Sequence, residues 1–575
     1  MSDPHSAPRL CGRVRARLFL CSIGLFLIGC TPAVPPKSID RPPIGESALS
    51  SVIVTAADSA TAARVVEAYG GRVTSRLWLI DAVGAHLPPE RLPALRTEPA
   101  VRSVVSNQQV HAAAVVEPTD DPRRWLVHTP AVLAVGVDQV RAHDAGLTGA
   151  GVTVAVVDSG VQVNDQSSNS PAPWIAPQLI GQVDFVDNVG CDSEEEGDSQ
   201  GGEGDGGEDE PQTDPCLQTR VASQDPYGHG THVAGIIANR LQDAATGLEL
   251  GIAPEAQILS VRVLGADGSG TYEQVVQGIQ YVVEHRAQYN IRVLNLSLIG
   301  LATTPYFVDP VNRAAEAAWA EGIVVLAAAG NQGPAAESIT VPGNDPYLIT
   351  VGAIDPNETA QEFGDDHLAG WSSTGPTLDG FIKPDLLAPG VDVVSYMHND
   401  PINVQNAAWL VRQHPDHQPD LSLYRLNGTS MATAVATGVA ALVIQQRPDL
   451  TPDEVKFRLM YTARSALTSE GKLIENLFQQ GSGRLWAPDA VLNDTVPLEQ
   501  ANAGLDLAVD LAHPWQVPSP HPPVDPYDRD GDGVPNSSAA VEDVRCATDH
   551  YTLDEFTYYR FDNDNGTLPW RGPWR

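Results

Sequence analysis

An aspartate, a histidine, a serine and an asparagine stand far apart in this chain, each in a setting that suits hydrolysis by an alcohol nucleophile. A serine hydroxyl is a poor nucleophile at neutral pH. It needs a base to take its proton and an acid to hold that base in the right tautomer. Val156-Val157-Asp158-Ser159-Gly160 offers the acid, Gly228-His229-Gly230-Thr231-His232 the base, and Asn427-Gly428-Thr429-Ser430-Met431-Ala432 the alcohol. Ala328-Ala329-Gly330-Asn331 adds an amide that can donate to a developing oxyanion. Each segment alone has a plainer reading: Asp158 as a turn cap, Ser430 as a helix N-cap, Asn331 as a turn former. His232 is read as a structural histidine.

The elements around these residues must place them together. Gly151 to Val157 is a short apolar, β-branched run, as in a buried parallel strand. It delivers Asp158 at its carboxyl end, where open α/β sheets bind ligands. Val233 to Ala238 reads as a buried helix opened by His229, and Met431 to Gln446 as an Ala-rich helix opened by Ser430 and stopped before Pro448. A helix N-terminus presents free N–H groups and partial positive charge, which suits a serine whose attack creates an oxyanion. Glu321 to Asn331 reads as a buried strand followed by a small-residue turn.

With these motifs in this order, the chain resembles the subtilases, the subtilisin-like serine endopeptidases, from about Gly136 to about Ala490. Gly251-Ile252-Ala253-Pro254, Val263 to Gly270, Pro342-Gly343 and Ala388-Pro389-Gly390 add to the likeness. The resemblance implies an α/β fold, a doubly wound and mostly parallel sheet flanked by helices. It implies an Asp158, His229, Ser430 triad and an oxyanion hole of Asn331 with the Ser430 N–H. Leu296, Ser297, Leu298, Ala328, Ala329 and Gly330 become the walls of a groove in which a substrate protein or peptide adds as a strand. No cofactor is implied for catalysis, and Ca²⁺ is implied as a structural ion. The competing reading is a catalytically silent binding or adhesion protein on the same scaffold. Three features depart from the family pattern: Ala434 in place of a proline, Ile299 where a glycine commonly lies beside the specificity pocket, and the long segment 187–224.

Arg9, Arg13, Arg15 and Arg17 precede the apolar run Leu18 to Ile28, too short to span a bilayer permanently, so residues 1–29 read as an export signal. Leu27-Ile28-Gly29-Cys30 resembles a bacterial lipobox, which makes Cys30 the lipidation site. An ordinary signal with an incidental cysteine is the alternative. Residues 30–47 are a Pro-rich tether. Residues 48–112 resemble an inhibitor-type pro-region, with strands at Ser51–Val54, Leu77–Ile80 and Val101–Val105 and a helix at Ser59–Tyr69; a free-standing domain is the alternative. Residues 113–135 form a linker holding the maturation site, in the Ala112–Val116 neighbourhood. Cleavage there would cut the protease from its lipid, leaving the membrane-anchored form as the zymogen.

The 72 Asp and Glu against 35 Lys and Arg, a formal charge of −37, argue against nucleic-acid binding and suit an exported protein of the cell envelope or the medium. Much of the excess lies between Cys191 and Cys216, where dense like charge and glycine favour a solvated surface loop. In an exported protein a disulfide between these two cysteines closes it; a low-affinity calcium sink is the functional alternative. Of the six cysteines, Cys11, Cys21 and Cys30 belong to the export segment and Cys546 is left over. Residues 136–490 are the catalytic domain and 491–575 an acidic extension, with one strand expected at Leu505–Leu511. Asp528, Asp530 and Asp532 precede a glycine in a run that resembles a calcium loop. Ala539 stands where an EF-hand needs glutamate, so an acidic turn remains the alternative.

Overall fold

The computed structural model describes residues 49–115, 131–162, 164–165, 170–171, 174–175, 177–187, 224–243, 246–357, 359, 363–399, 404–418, 423–465, 475–512, 558–559 and 569–570. Cys30, Cys191, Cys216, Asp528, Asp530, Asp532 and Cys546, with the signal, the tether and most of the acidic insert, lie outside the described residues.

A parallel sheet carries the chemistry. Its strands run in the order Ile349–Asp355, Val324–Ala328, Ile291–Leu296, Thr153–Asp158, Gln257–Arg262 and Leu179–Asp184. Leu386–Pro389 pairs in parallel, and His367–Leu368 antiparallel, with Ile349–Asp355. Every residue of Thr153–Asp158 and Val324–Ala328 is buried, because helices cover both faces. The sequence therefore shows continuous apolar runs where a one-sided sheet would alternate. Parallel direction brings the carboxyl ends of these strands, and so Asp158, Ser297 and Asn331, to one edge.

The helix Thr429–Gln446 crosses this sheet and is buried from Thr429 to Ile444. Its alanines and Gly438 allow close packing: a Cβ at 438 would meet Ile252 side-chain carbons at 2.4 Å. The helix His229–Ala238 packs beside it, fully buried. The sheet also tolerates a buried charge network, in which Lys383 Nζ bonds Asp385 at 2.6 Å and Lys456 Nζ lies 3.5 Å from the same carboxylate.

Residues 50–106 form a four-stranded antiparallel sheet in the order Arg72–Leu77, Ala82–Leu87, Ser50–Thr55, Ser103–Ser106, with the helix Ser59–Ala68 on one face. Val52, Val54, Val66, Val83 and Leu87 are its own core. Ile53, Leu77, Ile80 and Ala82 join the larger core instead, because the sheet docks on the helices Tyr272–Glu284 and Pro310–Ala320. Glu273 joins the two: its carboxylate accepts from Thr74 Oγ1 at 2.6 Å and Asn107 Nδ2 at 3.2 Å, and its N–H donates to Asn107 Oδ1 at 3.0 Å.

Two expected strands differ. Leu77 ends a strand, but Trp78–Ile80 is a single 3₁₀ turn, closed by Asp81 in the left-handed region at φ 56°. Leu505–Leu511 contains no strand; Leu507–Ala512 is a helix, begun by Asp506, whose carboxylate accepts the Val509 N–H at 3.1 Å. Among the described residues no helix is long and apolar enough to cross a membrane.

Candidate active site

Asp158 and His229 meet as the sequence demands. His229 Nδ1 lies 2.8 Å from Asp158 Oδ1 and 3.0 Å from Oδ2, with both side chains fully buried. A carboxylate can only accept, so the imidazole proton sits on Nδ1 and the Nε2 lone pair is free to act as a base. The turn entering the helix is held by Asp225. Its carboxylate accepts the Gly228 N–H at 2.8 Å, the Thr231 N–H at 2.8 Å and the Thr231 hydroxyl at 2.7 Å. Burial raises the pKa of Asp225 above the usual carboxylate range. His232, one turn on, donates from Nε2 to the Tyr424 carbonyl at 2.9 Å, and burial depresses its pKa to about 3. It is a neutral structural imidazole. Tyr227 stacks on Trp409 and tilts against the His229 ring, and burial pushes its phenol up to about 12.

Ser430 opens its helix beside them, but its hydroxyl donates to the Ser297 carbonyl oxygen at 2.9 Å, and His229 Nε2 has no hydrogen-bond partner. The Ser297 hydroxyl donates in turn to the Ser430 carbonyl at 3.1 Å and accepts from Asn295 Nδ2 at 2.9 Å.

Asn331 Oδ1 accepts the Thr429 N–H at 3.0 Å and the Thr429 hydroxyl at 2.9 Å. Two donors facing the oxygen fix the amide orientation. Its Nδ2 is therefore turned the other way, buried and without a partner, as a donor kept for a developing charge would be.

A strand of the chain itself lies across this site. Gln109–Ala112 is sandwiched antiparallel between Ser269–Thr271 and Leu298–Gly300. Beyond it, the Ala113 N–H donates to the Ser297 carbonyl at 3.2 Å, the Ser430 N–H donates to the Ala113 carbonyl at 3.3 Å, and the Val115 N–H donates to the Asn427 carbonyl at 2.7 Å. Gly428 makes this approach possible. Its φ is 153°, and a Cβ there would lie 2.3 Å from the Ala113 oxygen.

Of the groove residues named from sequence, Ser297 and Leu298 contact this strand through the main chain, and Leu296 ends the strand behind them. Ala328, Ala329 and Gly330 form the facing segment, which Thr429 ties to the serine helix by accepting the Gly330 N–H at 3.2 Å. Ile299 lies opposite His111 in the ladder. The reading missed Gly268 to Thr271 as the second wall, Thr429 as the residue that orients Asn331, and Asp225 as the anchor of the histidine turn. The glycines at 268 and 270 were visible as a motif. Asp225, four residues before His229, carries no local signal.

Among the described residues no three His, Cys, Asp or Glu side chains gather as metal ligands would. The arrangement supplies a base oriented by a carboxylate, an alcohol at a helix N-terminus whose N–H binds a peptide carbonyl oxygen, and a buried amide nitrogen left without a partner. These are the parts of an acyl-transfer centre.

The sequence profile of the Subtilase family matches residues 149–483. The serine protease AprX of Bacillus subtilis is 34% identical over 378 residues, which is 65% of this chain and 72% of that protein. Subtilisin E of the same species is 29% identical over 395 residues, 68% of this chain and 77% of that one. Among solved structures, fervidolysin from Fervidobacterium pennivorans, described as a keratinolytic enzyme related to subtilisin, superposes with a TM-score of 0.55 at 22% identity. It covers 80% of this chain, which spans 63% of it. With a profile match over most of the chain and a fold to agree, this protein belongs to the subtilase family and is a subtilisin-type serine endopeptidase.

Proposed function

We propose that this endopeptidase is made as an exported zymogen, and that Asp158, His229 and Ser430 cleave peptide bonds with Asn331 and the Ser430 N–H as the oxyanion hole. The observation that carries this reading is the Asp158–His229 pair, buried beside a serine whose N–H already binds a peptide carbonyl. Ser430 turns from the Ser297 carbonyl to His229 Nε2, attacks the substrate carbonyl and gives its proton to the imidazole. His229 passes that proton to the leaving amine, and water then hydrolyses the acyl-enzyme.

Residues 48–112 act as the pro-region, and their sheet and final strand block the groove until removed. Support comes from the Glu273 contacts and from the strand Gln109–Ala112, which fills the space between the two groove walls. The Arg-rich start, the apolar run to Ile28 and Cys30 support export and lipid attachment of the zymogen. Maturation then frees the enzyme from its anchor.

A serine-directed fluorophosphonate tests the catalytic reading. It labels the processed wild-type protein and fails to label Ser430→Ala, which also leaves casein intact. Casein cleavage by Ser430→Ala at the wild-type rate would end the assignment. Fractionation tests the anchor: full-length chain partitions with membranes, and mature enzyme does not.

A further inference from the structure

We propose that the first bond this enzyme cuts is its own Ala113–Ala114 peptide, and that preferred substrates share its features: an alanine-sized residue donating the carbonyl and a branched aliphatic residue three positions before it. This rests on the protease reading above and adds the bond and the substrate class.

Register assigns the bond. The Ala113 carbonyl oxygen receives the Ser430 N–H, with the Asn331 amide nitrogen buried and unpartnered in the same centre. Hydrogen bonds on both sides of the Ala113–Ala114 peptide hold it there: Ala113 N–H to Ser297 on one side, Val115 N–H to Asn427 on the other. A one-residue slip would turn every side chain to the opposite face, so the ladders at Gln109–Ala112 fix the choice.

The same register selects side chains. Val110 is fully buried and pairs with Gly270 on one wall and Gly300 on the other, two positions without side chains. Its branched side chain is buried in the same core as Leu264, Tyr272 and Leu298. The buried Tyr272 ring closes the space below, since a Cβ at 300 would lie 2.9 Å from its Cε1. His111 is exposed and unselective. Ala113 is fully buried beside the two groove segments. Thr340 and Val341 tie those segments together. Thr340 donates to the Ala329 carbonyl from its N–H at 3.0 Å and its hydroxyl at 3.2 Å, while Val341 and Gly300 exchange bonds of 2.9 and 3.0 Å. Ala113 is enclosed at this tied end, and in the proposal the position is assigned to a small side chain.

In the cut, Ser430 Oγ bonds to the Ala113 carbonyl carbon and the carbon–nitrogen bond to Ala114 breaks. The serine proton leaves through His229 on the new Ala114 amine. Water then releases the Ala113 carboxylate and restores the serine.

The test is intact-mass analysis of the earliest fragments from freshly folded wild-type full chain, with two blocked peptide nitroanilides. The fragments are expected to end at Ala113 and begin at Ala114. The peptide Val-His-Ala-Ala is expected to be cut with a kcat/KM at least about tenfold above that of Val-His-Ala-Phe or Lys-His-Ala-Ala. A fluorophosphonate-labelled enzyme whose first fragment ends elsewhere overturns the bond assignment alone, and equal or faster cutting of the Phe peptide overturns the size selection. A chain that neither labels nor fragments overturns the protease reading and this inference with it.

Discussion

The Ser430 hydroxyl donates to the Ser297 carbonyl at 2.9 Å, while His229 keeps its Nε2 lone pair unused and its Nδ1 on Asp158 at 2.8 Å. In the proposed triad the base is thus oriented in advance, and what orients it is the Asp158 carboxylate. Asp158→Asn offers an amide N–H to Nδ1, which moves the imidazole proton to Nε2 and removes the acceptor the serine needs. The expected result is a kcat lower by about 10⁴, the magnitude known from chymotrypsin-type triads, with the fold retained. Steady-state kinetics with circular dichroism check it, and a loss below tenfold would contradict the tautomer argument.

Asn331 and Thr429 are expected to separate donating from positioning. Asn331→Ala removes the buried Nδ2 donor, with kcat lower by roughly 10²–10³, the magnitude known from subtilisin itself, and KM nearly unchanged. Thr429→Val keeps the amide but loses the hydroxyl that grips Asn331 Oδ1, so its loss in kcat is smaller. Equal losses in the two variants would mean that the amide is only structural.

Asp309 makes stability depend on pH. It caps the helix Pro310–Ala320, accepting the Val311 N–H at 2.9 Å, and burial pushes its pKa from 3.8 up to about 7. A folded pKa above the unfolded one gives a contribution fully present below the unfolded value and lost as pH rises through about 7. Asp309→Asn keeps a cap acceptor but cannot ionise. In a Ser430→Ala background, the Tm of the Asn variant relative to its parent is expected to climb from pH 4 to pH 8 and then level. Thermal melts across that range measure it, and a constant difference would refute it.

Much of the site was legible because each residue sits at a forced boundary of an element. Asp158 follows a Val-rich buried strand, His229 and Ser430 begin buried helices, and Asn331 ends a small-residue turn. Periodicity and turn chemistry read such boundaries directly. What was not legible depends on main-chain partners distant in sequence. The Ser430 hydroxyl finds the carbonyl of Ser297, 133 residues away, and no side-chain pattern encodes a carbonyl. The extension misled for a related reason. Leu505 to Leu511 carries an apolar pattern short enough to pass for a strand, and the helix that forms instead is stabilised by tertiary partners.

Those partners give the last prediction. Asp510 is nearly buried, and its Oδ2 accepts the Tyr347 hydroxyl at 2.6 Å and the Tyr306 hydroxyl at 3.0 Å. The carbonyls of Asp510 and Leu511 each accept from Arg313 at 3.3 Å, and burial lowers the pKa of that guanidinium. Leu505 and Leu507 cover Tyr306, Tyr347 and Phe381. The segment is thus built into the catalytic unit. Asp510→Ala strips one acceptor from two buried phenols, at roughly 1–3 kcal/mol each. The expected Tm loss is several degrees, with Asp510→Asn losing less because its amide oxygen still accepts. A chain ending at Asn502 should melt below one ending at Ala512, both in a Ser430→Ala background to prevent self-digestion. Scanning calorimetry compares them, and identical melting would show that the packed helix adds nothing to the fold it covers.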